Sequence, residues 1–422
     1  MNAPLRIPHM AWYGDTPMDL SFPESWQVQV LNMNGKDASP LTPQGLQNAL
    51  KHPIGSSRIR DLARGKQEAA VVFDDITRPT RVDQIAPYVL EELHAAGIPD
   101  DHIRFVAALG AHGAHSLVDF RKKLGDDILA RFPVFNHNPY ECCEYLGETS
   151  RGTPVEINTE FMKCDVKIGI GLIVPHVSYG YGGGGKIVLP GLASMNSMWH
   201  NHYKVGGRSA PTPDHPLGKL NPHVGLAQYE GNVLRLDMEE AVRMAGLDFK
   251  IDAIVSTHRE TVALFAGDPI AAHKEGVAYA QRHYATPRKG DADLIIVNAF
   301  SKASEGHVAI VGCAPLLKET GGDMVCIIGA PGGQIPHYLL RGGGKFIGGR
   351  LWGKKERFPP RVNRLFLVSE HPDWAGWEWF GPVDRILWHQ TWPETCEALA
   401  RDHGPGTRVR VVPDGTLQYF VS

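Results

Sequence analysis

Residues 69–80 read AAVVFDDITRPT, and the fold turns on how they are read. Ala69 to Phe73 form a short, uninterrupted apolar run, which predicts a buried strand. The run passes directly into a polar turn, Asp74 to Thr80, stiffened by Pro79. Beyond the turn, Ile85, Val89 and Leu93 fall four apart on one helical face, and Gly97-Ile98-Pro99 should stop that helix. The pattern then recurs. IRFVAALG (103–110) predicts a strand ending in the turn AHGAH, VKIGIGLIVPH (166–176) a strand ending in a glycine-rich loop, and IDAIVST (251–257) a fourth strand. Three of these strands end in loops bearing His or Arg. In open α/β sheets, ligands bind beyond the carboxyl ends of the strands.

Residues 276–293 predict a helix and then a charged, proline-containing connector. Strand-helix alternation restarts after it, with DLIIVNAF (293–300), MVCIIGA (324–330), RLFLVSE (364–370) and RVRVVPDG (408–415). The expected architecture is therefore two α/β domains, residues 1–285 and 291–422, with the active site in the cleft between them.

Composition removes several function classes. Lys and Arg number 43 against 46 Asp and Glu, a net charge of −3, so no excess of positive charge argues for nucleic acid or an anionic membrane. Six cysteines, with no C-x-x-C pair, fit neither a disulfide framework nor a thiolate zinc knuckle. No apolar run approaches the ~18 residues of a spanning helix. MNAPLRIPHMAWYGDTP has no signal-peptide core, so a soluble, cytoplasmic protein is expected.

Four stretches carry candidate chemistry. In DDITRPT, an arginine held by a neighbouring aspartate presents a planar fork to a carboxylate or phosphate; the alternative is a turn with an ordinary Asp–Arg pair. His112 and His115 in GAHGAH suit a general base, a metal ligand, or a solvated capping residue. Gly182 to Gly185 precede Lys186 in PHVSYGYGGGGKIVLPG, but neither this run nor RGGGKF (341–346) is a P-loop. A lysine beside a glycine-lined loop suits covalent attachment once it is desolvated. His200 and His202 lie two apart, so on a helix at most one reaches a shared site. Imidazole suits nickel, zinc, copper and iron alike, so these residues by themselves indicate a cofactor or metal site of unnamed chemistry.

Taken together, Asp75-x-Thr77-Arg78-Pro79, Gly110-x-His112, Pro175-His176, Gly182-Gly183-x-x-Lys186, Leu189-Pro190-Gly191 and Asn201-His202 resemble the nickel-pincer-nucleotide-dependent lactate racemase family in order and spacing. The resemblance implies a racemase or epimerase of 2-hydroxy acids and a cofactor, nickel pyridinium-3,5-bisthiocarboxylic acid mononucleotide, attached covalently through Lys186. His202 would complete the nickel coordination, while Gly182, Gly183, Asp75 and Thr77 would belong to the cofactor site. His112 and His176 would be the two acid/base groups, and Arg78 would contact the substrate. His115 and His200 receive no role. Partners implied are the cofactor-synthesis enzymes and the small-molecule substrate. Removing hydrogen from Cα as hydride, while a histidine takes the hydroxyl proton, gives a neutral keto acid and avoids a carbanion beside a carboxylate.

The second half departs from the family pattern. Members acting on lactate carry a P-x-D turn followed by a Gln and a Lys that bind the substrate carboxylate. Here VNAFSKASEGHVAIVG has Ser301 at the proline position and no Q-x-x-K, leaving Lys302, Glu305 and His307 as substrate-binding candidates. The expected substrate is a 2-hydroxy acid other than lactate. Two alternatives stand beside this reading: a relative that keeps the fold but only binds, and a hydrolase or lyase with His112, His176 and His202 on a divalent metal.

Overall fold

The computed structural model describes residues 3–206, 221–339, 357–374, 376 and 379–421. The RGGGKF stretch lies outside them. Twelve strands build two six-stranded sheets. In chain order they are β1 (Gln27–Val30), β2 (Ala69–Asp74), β3 (Ile103–Ala108), β4 (Val134–Asn136), β5 (Val166–Leu172), β6 (Phe249–Val255) and β7 (Thr261–Gly267). The remaining five are β8 (Leu294–Asn298), β9 (Gly322–Ile327), β10 (Val362–Val368), β11 (Ile386–His389) and β12 (Arg408–Val412). The first sheet has the order β7-β6-β5-β2-β3-β4 and is parallel except at its β7 edge. The second has the order β11-β10-β9-β8-β12-β1 and is parallel throughout.

Why the strands are apolar without alternation follows from what covers them. In β2, Val71 and Phe73 pack into one apolar cluster while Ala70 and Val72 pack into another across the sheet. In β8, Ile295 and Val297 face one cluster and Leu294 and Ile296 the other. Side chains alternate faces along a strand, so a sheet covered on both faces requires apolar residues at every position. Helix α1 (Val82–Ala95) supplies part of that cover, burying Ile85, Val89 and Leu93 on the predicted stripe, and gives way to Gly97 at φ 93°. The helix expected from residue 276 begins earlier, as α2 (Ala271–His283).

The first sheet grows outward from β2 through β3 to β4, then the chain returns to the other side of β2 and adds β5 and β6. The order therefore reverses between β2 and β5. In the second sheet it reverses between β8 and β12. Such switch points open a crevice at the strands' carboxyl ends.

One feature was not foreseen from the sequence. β1 lies in the second sheet, paired with β12 from Gln27–Arg408 to Val30–Val411. Residues 1–285 are thus not one contiguous unit, and we propose a division that groups the first ~30 residues with 291–422.

Candidate active site

A cavity of about 140 Å³ opens at the first sheet's switch point. It is lined from β2 and its turn by Asp74, Asp75 and Arg78, from the end of β5 by Gly171 and Leu172, and from the loops that follow by His112, His176, Lys186 and His202. Glu305, His337 and Leu339, from segments following β8 and β9, close the opposite wall. Hence most of the sequence-predicted residues converge.

The β2 turn is held rigidly. Asp75 Oδ1 accepts from the Thr77 backbone N–H (3.0 Å) and hydroxyl (2.5 Å), and Asp75 Oδ2 accepts from His112 Nδ1. Burial pushes the Asp75 carboxyl upward, but His112 and Arg78 outweigh it and hold the group well below the usual carboxylate range. Thr77 is fully buried. With its hydroxyl given to Asp75 and accepting from Arg78 Nη1 at 2.5 Å, it positions those two side chains and does not line the cavity, contrary to the expected cofactor contact. His115 Nε2 accepts the Ile76 N–H (2.9 Å), and Lys123, buried, bonds Asp74 at 2.7 Å; both brace the turn from outside.

The two histidines expected to act alike are held in opposite tautomers. His112 gives its Nδ1–H to Asp75, which leaves the neutral ring a lone pair at Nε2. His176 Nδ1 accepts from the backbone N–H groups of Ser178 (3.1 Å) and Tyr179 (3.3 Å), so its neutral ring carries the hydrogen at Nε2. That Nε2 lies 3.0 Å from Lys186 Nζ. Burial, then the charges of Lys186, Lys302 and Arg78, drive the His176 pKa well down; burial, then Arg78 and Lys302, do the same to Lys186. Burial thus disfavours the charged form of each, and His176 Nε2 faces the Lys186 amine.

Lys186 sits in a 3₁₀ turn, Gly184–Ile187, with Nζ 4.0 Å from the centre of the Tyr179 ring. The turn is fixed from beneath. Asp252 Oδ2 accepts the Gly184 N–H (2.8 Å), while Oδ1 takes 2.6 Å from Lys250 Nζ, a pair with no solvent exposure. Gly183 has φ 81° and lies so close to Leu172 O and Asp252 that a Cβ would stand 2.9 Å and 2.8 Å from them, so only glycine fits.

His202 lies in a π-helical turn, His200–Val205, that continues a short helix, Met195–Trp199. Its Nδ1–H is given to Met198 O (3.0 Å), and burial together with Lys186 lowers its pKa to about 4. Nε2 keeps its lone pair, facing the cavity. His200 points elsewhere, to Thr153 Oγ1 at 3.0 Å, as two-residue helical spacing requires. Asn201 between them is fully buried and ties Tyr179 Oη to Asp237.

From the second sheet, Glu305 Oε2 accepts from Arg78 Nη1 at 2.5 Å, and its Oε1 stands 3.5 Å from His112 Nε2. Burial pushes this carboxyl up, but Arg78, His112 and Lys302 hold it well below the ordinary range. Lys302 is buried and lies outside the cavity lining, and its ammonium makes no hydrogen bond or ion pair among the described residues; burial, then Arg78, lowers its pKa to about 8. His307 is placed away from the cavity lining, its ring stacked on Trp379 at 4.2 Å, so it does not contact substrate as expected. His337 takes a place in the lining that no sequence signal assigned, with its ring centre 5.0 Å from that of His112.

Among the described residues, no three His, Cys, Asp or Glu side chains come together to hold a metal ion. This counts against the three-histidine hydrolase, as does His176, whose Nδ1 accepts from the backbone and whose Nε2 faces Lys186. No described helix is long and apolar enough to cross a membrane.

An α/β chain with a lysine, two histidines of opposite tautomer and an Asp–Arg turn gathered at a sheet switch point is the class so defined. Residues 13–212 match the lactate racemase N-terminal domain. The lactate racemase of Thermoanaerobacterium thermosaccharolyticum is 28% identical over 255 residues, 60% of this chain and 57% of that one; that of Lactiplantibacillus plantarum is 29% identical over 295 residues, 68% and 66%. The matched stretches thus span somewhat under two thirds of those relatives. The structure of the T. thermosaccharolyticum lactate racemase apoprotein superposes with a TM-score of 0.70, at 20% identity and over 100% of both chains. Residues 13–212 are thus similar to the lactate racemase N-terminal domain, and the whole chain shares the fold of that apoprotein.

Proposed function

We propose that this chain is a racemase or epimerase of 2-hydroxy acids other than lactate, working with a nickel-pincer nucleotide held by Lys186 and His202. The observation that carries the reading is the buried Lys186 amine, whose charged form burial disfavours, in the same cavity as an uncommitted His202 Nε2. A neutral amine is the form that attacks an acyl group. A single free imidazole nitrogen suits a metal whose other ligands come from a cofactor. Gly182 and Gly183 leave the cavity wall beside Lys186 without side chains. The residues present therefore fit the group.

When bound, the cofactor supplies reversible acceptance of the Cα hydrogen together with its bonding electrons. The remaining work falls to the chain. His112 Nε2 takes the hydroxyl proton as Cα is oxidised, and buried Asp75 steadies the imidazolium that results. Arg78, oriented by Thr77 and Glu305, faces the substrate with its remaining N–H groups. His176 offers Nε2–H to a substrate oxygen; to act as a base it must first give up its backbone contacts, so the two histidines are not interchangeable. Lys302, buried behind the cavity lining and without an ion pair among the described residues, is the cation we assign to the substrate carboxylate. The cavity, lined from both sheets, fits a site closed between two α/β units, and cofactor-synthesis enzymes are the partners this reading requires.

The test is protein produced together with those enzymes, followed by intact mass, metal content and racemisation of single-enantiomer 2-hydroxy acids. A mass adduct on Lys186, nickel and loss of optical activity are expected. Active protein with an unmodified Lys186 and stoichiometric zinc would overturn the proposal.

A further inference from the structure

The second-sheet wall presents the cavity with an acceptor that the chemistry at Cα does not use. Glu305 is buried and ionised, and only Oε2 is satisfied, by Arg78. Oε1 has no hydrogen bond among the described residues. It faces His112 Nε2 at 3.5 Å, and that nitrogen, with Nδ1–H committed to Asp75, also offers a lone pair. In the neutral ring that proton removal requires, two acceptors therefore stand side by side with no donor between them. A buried carboxylate oxygen left in this state is costly, so the occupant should bring donors for both.

A 2-hydroxy acid brings one, the hydroxyl whose proton His112 removes. The second must lie nearby, and acceptors 3.5 Å apart are close enough to take one hydrogen each from the two hydroxyls of a vicinal diol. His337 completes the arrangement. Its Nδ1 accepts the Leu339 N–H (3.3 Å), so the neutral ring carries a donor at Nε2. It lines the cavity beside His112 and could donate to the oxygen whose hydrogen goes to Glu305.

From this geometry we infer that Glu305 selects substrates with a hydroxyl on the carbon next to the one inverted, that is, 2,3-dihydroxy or longer polyhydroxy acids. The inference rests on the racemase reading above and specifies its substrate. A substrate without the second hydroxyl leaves Glu305 Oε1 unsatisfied and sets its own carboxylate near that negative charge. Sites built around such a bond reject the analogue lacking it far more strongly than apolar pockets reject a missing methylene.

Glycerate and lactate differ only in the 3-hydroxyl, so they are the matched probes for the loaded holoenzyme. Wild type should show kcat/KM for glycerate on the order of 10²-fold or more above that for lactate. Calorimetric titration of the same protein should show the same order of affinity, whether or not turnover is seen. Glu305→Gln removes the charge and frees Arg78. It should raise KM for glycerate and lower KM for lactate, moving the ratio by about tenfold or more. A general loss of structure would worsen both. Equal or better binding and turnover of lactate by wild type would overturn the inference while leaving the racemase reading intact. Loaded protein that racemises neither acid, nor any other 2-hydroxy acid, but still prefers glycerate in calorimetry would instead sink the racemase reading and support the selectivity of the site.

Discussion

The ligand-facing ends of the two sheets follow different rules. At the first sheet nearly every ionisable group is committed: Asp74 to Lys123, Asp75 to His112, Lys250 to Asp252, and His176 to the backbone and Lys186. At the second sheet, among the described residues, the Lys302 ammonium has no ion pair and Glu305 Oε1 no hydrogen bond. Tied groups hold one geometry for one chemistry, whereas untied groups wait for a ligand to complete them. On the proposed reading, the difference places reaction type at the first sheet and substrate choice at the second.

The strongest way to break this division is at Lys186. Lys186→Ala should remove the covalent adduct altogether and take racemisation to background, while Lys302→Met should leave the adduct at wild-type occupancy. Intact mass spectrometry of both variants decides it. An adduct persisting in Lys186→Ala, or lost in Lys302→Met, would end the separation of roles.

Next in size is the inequality within the first sheet. His112→Ala removes the proton acceptor and should lower kcat/KM by about 10²–10⁴-fold. His176→Ala removes a donor and should cost less. Because a Gln side chain can replace an Nε2–H donor but cannot act as a base, His176→Gln should recover activity over His176→Ala, whereas His112→Gln should recover none over His112→Ala. Equal losses for all four changes would restore the symmetrical two-base scheme expected from the sequence.

What could be read in advance divides along the same line. Asp75, Arg78, His112, His176 and Lys186 each follow a strand or sit in a glycine turn, so local pattern exposed them, whereas His202, in a helical turn, stood out only through the spacing of the motifs. Their tautomers did not show, because these depend on Ser178, Tyr179 and Asp75 as spatial neighbours. Lys250 and Asp252 left a signal that went unused: two charges in a fully buried strand must pair. β1, with the sequence QVQV, is half exposed at a sheet edge, and its short alternation stayed below notice. His337 had no local signal at all; it meets His112 through a single backbone bridge from a loop following β9. Thr77 and His307 misled because polar residues near a site were taken to face it, when one is spent on Asp75 and the other on Trp379.

The smallest expected effect sharpens the second-sheet half. Burial leaves the Lys302 ammonium with a pKa of about 8. Below that pH the side chain is charged and can hold a substrate carboxylate; above it, the charge is lost. Wild-type kcat/KM, which reports the free enzyme, should therefore fall as pH rises through about 8. Few neighbours confuse this window, since burial has already driven His176 and His202 well below neutrality and, in loaded protein, Lys186 no longer carries a titrating amine. Lys302→Met should lose one charge-assisted contact, worth about 1.5–3 kcal/mol, or about 10- to 100-fold in KM at pH 7. It should also flatten the alkaline limb, because the group that titrates is gone. A wild-type profile level from pH 7 to 9, or a limb that survives in Lys302→Met, would assign the carboxylate to Arg78 instead and make Lys302 a buried charge held for another reason.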